Sequence, residues 1–174
     1  SVAAEPLSPT PFPEFFRNPI SLDPAEALNF QAAEDGAGAI QSNGLIWLTD
    51  GSVNPMPGEI FTIRGTGTTT VGTFVWANCP IILDENLPAG TYAVVGMRAE
   101  STTCLAARLV FVGGTWRPGV IGYDAVSDLE DPIFRFGQLG NWGEFRHDQA
   151  PTADFLCTAA DAAQTIFLDL IRLS

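Results

Sequence analysis

The chain has 174 residues, of which 46% are hydrophobic and 16% charged, with 12 phenylalanines and 4 tryptophans. A chain of that length buries roughly 70% of its unfolded surface in a single core without needing a staple, and so apolar a composition excludes a disordered chain. Eight arginines, no lysine and 20 acidic residues give a net charge of −12, which argues against direct nucleic-acid binding, since that requires clustered cations.

The first 18 residues hold Pro6, Pro9, Pro11 and Pro13 with Phe12, Phe15 and Phe16 and carry no periodic core pattern. They read as an extended arm (1–18) ahead of one domain (19–174), because proline-rich chain favours an open conformation that loses little entropy on docking. The arm's aromatic groups then need a pocket, on the same domain or on a neighbour. Asp23-Pro24 followed by Ala25-Glu26-Ala27-Leu28 predicts one short helical turn, with a capping residue and then proline at the first helical position.

Short runs rich in β-branched and aromatic residues follow at 45–49, 59–64, 69–77, 91–99, 104–112, 119–123 and 133–136. Turn signals such as Asp50-Gly51, Pro57-Gly58, Gly65-Thr66-Gly67, Pro88-Ala89-Gly90, Gly113-Gly114 and Pro118-Gly119 separate them. That cadence predicts an all-β fold, a single jelly-roll-like antiparallel sandwich. The polar loop Glu100-Ser101-Thr102-Thr103 predicts that the runs at 91–99 and 104–112 pair as an antiparallel hairpin. Residues 164–173 fit a helix or a buried strand; a final strand is expected, because it closes the sandwich.

No catalytic, cofactor or metal residues are assigned. The one histidine, His147, stands in Glu144-Phe145-Arg146-His147-Asp148, and no nucleophile-elbow serine accompanies it. A single histidine without a cysteine pair does not make the usual zinc site, and cupin-like metal sites need several. Gly65-Thr66-Gly67-Thr68 has the look of a phosphate loop, but the lysine such a loop uses is missing, so a hairpin turn is expected. Asp124, Asp128, Glu130 and Asp131 lack the spacing of a calcium loop and read as a solvated acidic loop. Cys79, Cys104 and Cys157 are too few and too far apart for a disulfide framework and are expected as buried thiols. No apolar run reaches the length of about 20 residues that a membrane-spanning helix requires. The N-terminus also lacks the basic and apolar regions of a signal peptide, so a soluble chain made in the cytoplasm is expected.

Trp116 in Gly113-Gly114-Thr115-Trp116-Arg117-Pro118-Gly119 and Trp142 in Gly140-Asn141-Trp142-Gly143 lie in loop-like sequence. Loop aromatics beside arginine are favoured at protein interfaces, which makes Trp116, Arg117 and Trp142, with Phe12, Phe15 and Phe16 of the arm, the interface candidates.

The segment Thr91-Tyr92-Ala93-Val94-Val95-Gly96-Met97-Arg98-Ala99, continued by Ala106-Ala107-Arg108-Leu109-Val110-Phe111 and by Trp116-Arg117-Pro118-Gly119, resembles the vertical single jelly-roll major capsid proteins. These are the small coat subunits of tailless icosahedral phages and archaeal viruses with an internal membrane. The resemblance implies a capsid subunit, a structural virion protein without enzymatic activity. Such a subunit self-assembles, alone or with a second coat protein, into an icosahedral shell near an internal membrane that it does not enter. It carries over no binding residues. Two other classes stay open: a carbohydrate-binding jelly roll using the tryptophans, and a surface or filament subunit donating its arm to a neighbour.

Overall fold

The computed structural model describes residues 21–29, 31, 46, 48, 54–67, 72–122 and 135–174. Two units are distinguished, Ser1–Ser52 and Val53–Ser174.

In the first unit Pro24 and Ala25 form the corner of a β-turn. The Glu26 N–H donates to the Asp23 carbonyl at 2.9 Å, and the Asp23 N–H donates to the Glu26 carboxylate at 3.0 Å. Ala25 takes φ 72°, which a right-handed helix does not allow. A turn with proline at its second position and a left-handed third residue therefore replaces the expected helical turn. The arm at 1–18 lies outside the described residues.

The second unit is an antiparallel β-sandwich, and no helix occurs among the described residues. Its strands are β1 (Phe61–Gly67), β2 (Ala77–Cys79), β3 (Ile81–Leu83), β4 (Thr91–Glu100), β5 (Cys104–Val110), β6 (Gly119–Ile121), β7 (Gly143–Arg146), β8 (Thr152–Cys157) and β9 (Gln164–Arg172). One sheet runs β3-β1-β9-β4-β7 and the other β2-β8-β5-β6. With the edge strand β3 set aside, the pairing is nested. The first strand pairs with the last (β1 with β9), then β2 with β8, β4 with β7, and β5 with β6. That is one long hairpin folded double and wound up, the jelly roll, with the β5–β6 turn at its tip.

The expected hairpin between 91–99 and 104–112 does not form. β4 pairs with β9 and β7 in one sheet, while β5 pairs with β8 and β6 in the other, so residues 101–103 cross between the sheets. The physical reason lies in β4, nearly all of which is buried. On one face Tyr92, Val94, Met97 and Ala99 join Ile166, Leu168 and Leu170 of β9. On the other, Ala93 and Val95 pack with Ile171 beneath Met56 and Ile60. A bulge between Val94 and Gly96 exchanges the faces along the strand. Opposite the inner face stand Ala107 and Leu109 of β5, Val120 of β6, and Ala153 and Phe155 of β8, all buried. Tyr92 anchors one end of this core: its ring stacks on Phe145 at 5.8 Å, and its hydroxyl donates to the Pro88 carbonyl at 2.7 Å.

Three strands, β3, β7 and β8, stand where none was expected. Of the expected run at 69–77 residues 72–77 are described, and of these only Ala77 belongs to a named strand; Phe74 takes φ 53°, and its N–H donates to the Cys157 carbonyl. The expected run at 133–136 is described only at Arg135 and Phe136, where the chain turns. Of 45–49 only residues 46 and 48 are described, and neither is in a strand. The C-terminal segment is the strand β9, central in its sheet.

Candidate interaction surface

The loop at residues 111–118 joins β5 to β6 and forms the tip of the jelly roll. Phe111 turns inward, 9% exposed, and its carbonyl accepts the Gly114 N–H at 3.1 Å. Gly113 takes φ 72° there, a conformation that glycine adopts without a steric penalty. Arg117 ties the loop to itself, its Nη1 donating to the Gly114 carbonyl at 2.8 Å and the Trp116 carbonyl at 3.1 Å. The loop's remaining large apolar groups point outward, Trp116 at 70% and Val112 at 76% exposed. A rigid aromatic on a braced loop loses little entropy when covered by a partner.

The other interface candidates lie elsewhere. Trp142 is buried in its own unit, and its backbone N–H donates to the Val94 carbonyl at 2.8 Å. Phe12, Phe15 and Phe16 are outside the described residues.

Each sheet carries on its outer side an arginine laid over an aromatic ring and held by an acid. On the four-stranded sheet the Arg108 guanidinium lies 4.4 Å from the Trp76 ring and donates through Nε to Asp154 at 2.9 Å. Asn78 Nδ2 donates to the same carboxylate at 2.9 Å and to the Thr152 hydroxyl at 2.8 Å. On the five-stranded sheet Arg98 lies over Phe167, its direct cross-strand neighbour, and bridges to Glu100 at 3.3 Å. Arg135 covers Phe136 and forks onto Asp169, Nε at 3.0 Å and Nη2 at 2.8 Å. Phe136, 57% exposed, is displayed by that turn at φ 60°. Composition and turn signals gave no sign of these arrangements, because each joins residues far apart in the chain. Only the period-two alternation that places Arg108 and Asp154 on one face could have pointed to a pair.

The groups suspected of chemistry have structural employment. His147 Nδ1 accepts the Gly90 N–H at 3.3 Å and the His147 backbone N–H donates to the Gly90 carbonyl at 3.0 Å, while Asp148 pairs with Arg146 at 3.0 Å rather than orienting the imidazole. Gly65-Thr66-Gly67 is not a turn but the end of strand β1, a correction with a steric cause. A Cβ on Gly65 would stand 2.5 Å from Ile81 Cγ2, and one on Gly67 2.8 Å from Cys79 Sγ, so these glycines admit neighbouring side chains. Asp161 takes hydrogen bonds from the hydroxyls of Ser101 and Thr103 and from the Ala163 N–H, closing the end of the sandwich near the β4–β5 crossing. The Ser101 bond foremost, with the other two, holds its carboxyl below the usual range against the opposing effect of burial. Among the described residues no three His, Cys, Asp or Glu side chains gather as a metal site. The acidic stretch Asp124, Asp128, Glu130 and Asp131 is outside them.

In comparison with known proteins, no family model matches the chain, and no curated protein or solved structure matches it.

Proposed function

We propose that this chain is a coat subunit of the vertical single jelly-roll class, a structural virion protein that assembles with copies of itself, alone or with a second coat protein, into an icosahedral shell. The observation that carries the reading is the jelly-roll winding whose braced tip presents Trp116 and Val112 to solvent, while the interior is filled by side chains. A shell subunit needs a rigid sandwich with apolar anchors on its loops and sides rather than a ligand-filled cavity. Each of the seven described arginines is bonded within the chain, to a carboxylate or to a backbone carbonyl. That favours protein contacts over phosphate contacts, and a place in the capsid separated from the genome by the internal membrane. Light scattering of the purified protein at low and high salt, followed by negative-stain electron microscopy of any large species, tests the proposal. Regular shells are the expected result; a monomer under every condition, with candidate partner coat proteins present, overturns it.

A second reading, a carbohydrate-binding jelly roll, is favoured by the exposure of Trp116 and of Trp76, 70% and 40%, since exposed indoles stack on sugar rings. Retention on a glycan array that is lost with Trp76→Ala or Trp116→Ala would establish it, and a silent array would remove it.

A further inference from the structure

Cys104 opens β5 and Cys157 closes β8, and the two are direct partners across the centre of the four-stranded sheet. Both are buried thiols. The backbone shows which kind of cross-strand pair they make. One residue along, the Thr158 N–H donates to the Thr103 carbonyl at 2.8 Å; the Cys157 carbonyl faces away from β5 and accepts the Phe74 N–H at 2.8 Å. Cys104 and Cys157 are therefore a non-hydrogen-bonded pair, the class in which Cα atoms stand about 4.5 Å apart and side chains approach most closely. That separation lies within the range of about 4.4–6.8 Å that a disulfide spans. The bulge between Cys104 and Ala106 turns Cys104 onto the same inner face as Cys157, and the two thiols hydrogen-bond each other.

We propose that Cys104 and Cys157 form an oxidation site, a dithiol that small disulfide compounds convert to a cross-strand disulfide within one folded subunit. One sulfur, as thiolate, attacks the small disulfide, forming a mixed disulfide and expelling one small thiolate. The second protein sulfur then attacks the first, the Cys104–Cys157 bond forms and the second small thiolate leaves. In total two protein thiols are oxidised, the small disulfide is reduced to two thiols, and the two protein protons go with them. Cys104 retains 9% of its surface, so the small disulfide reaches the pair from its side. The pair is also poised in charge. The Cys104 S–H, donated to the Cys157 sulfur, brings the Cys157 thiol down to about 7, while that same bond and burial push Cys104 upward. Oxidation therefore begins at lower pH than for an ordinary cysteine.

Cys79 supplies an internal control. It is opposite Ala153 on β8, four residues from Cys157, or about 13 Å along a strand, beyond the reach of a disulfide. The experiment is to incubate the full chain with oxidised glutathione, then count thiols in denaturant and map peptides without reductant. The expected result is a fall from three thiols to one in a monomer lighter by two hydrogens, with the linked peptides holding Cys104 and Cys157. Cys79→Ser should still lose two thiols, whereas Cys104→Ala and Cys157→Ala should lose none within a monomer. Three surviving thiols, a bond to Cys79, or linkage only between chains overturns the proposal. The wild type and Cys79→Ser decide the matter even if the other variants fold poorly.

Discussion

Asp169→Ala should be among the most damaging single changes in the sandwich. Asp169 is fully buried on β9 and Arg135, 8% exposed at its side chain, lies against it. Its two oxygens take four bonds: from Arg135 Nε at 3.0 Å and Nη2 at 2.8 Å, from the Thr62 hydroxyl at 2.6 Å, and from the Phe136 N–H at 3.2 Å. Truncation leaves a buried guanidinium, a hydroxyl and an amide facing an apolar gap. Removing one partner of such a pair costs about 3–5 kcal/mol, out of a total stability of about 5–15 kcal/mol. With a urea slope of about 2 kcal/mol/M, the unfolding midpoint should fall by roughly 2 M with the slope unchanged. Arg135→Met should lose less than Asp169→Ala, because the carboxylate it leaves behind keeps Thr62 and Phe136 as donors. The double variant should lose less than the sum of the two, with a coupling of about 2 kcal/mol. A loss below about 1 kcal/mol for Asp169→Ala, the value for exposed pairs, would refute the reasoning.

Gly96→Ala attacks the same cluster by crowding. Its Cβ would stand 2.5 Å from Asp169 Oδ2 and 2.8 Å from the Arg135 Cα, so chemical denaturation should show a loss of about 1–3 kcal/mol. Asp161→Asn tests the crossing between the sheets by its pH dependence. The carboxyl is depressed from its ordinary 3.8 in the folded chain, so its contribution is present above that value and lost as pH falls through the folded one. The wild type should lose stability on that acid limb more steeply than the variant, and parallel acid limbs in a urea titration would contradict the assignment. Trp116→Ala should change folding stability by no more than about 0.5 kcal/mol, since the side chain is a surface group, yet, on the proposed coat function, reduce the yield of assembled particles measured by light scattering. Unchanged yield would remove Trp116 from the interface.

Much of the sandwich was legible in sequence because period and punctuation act locally. β4 and β5 announce themselves by apolar content, and the glycine and proline pairs mark an end of β1, β4, β5 and β6. What local pattern cannot carry is which strands pair. A four-residue polar link suits a hairpin and a crossing between sheets equally, and the choice was made by β9, which occupies the edge of β4 that β5 would have taken. β8 escaped notice for a different reason. Its alternation is regular, with Ala153, Phe155 and Cys157 inward, but Asp154 reads as a turn residue until Arg108, its cross-strand partner, neutralises it. β3 and β7 are edge strands of three and four residues, too short for any period to register. At the candidate surface, Trp116 and Arg117 were visible as loop residues, whereas Trp76 gains its role only from Arg108 of another strand, and Phe136 from the hold of the distant Asp169 on Arg135.

The absence of lysine acquires a physical sense from these contacts. Three of the seven described arginines stand over an aromatic ring while bonding a carboxylate, and two others, Arg117 and Arg172, each reach two backbone carbonyls. A planar, always-charged fork performs both tasks at once; a lysine ammonium, compact and strongly hydrated, does not. Cations bonded within the chain leave the surplus acids to dominate the field between any two chains, with a net charge of −12 on each. In the proposed coat assembly, association has to be driven by apolar groups such as Trp116 and Val112 against mutual repulsion. Repulsion between exposed charges is screened over about 8 Å at physiological salt and about 3 Å at 1 M, while burial of apolar surface survives added salt. Assembly resting on these contacts must therefore strengthen as salt rises, the opposite of what an interface held by surface ion pairs would do.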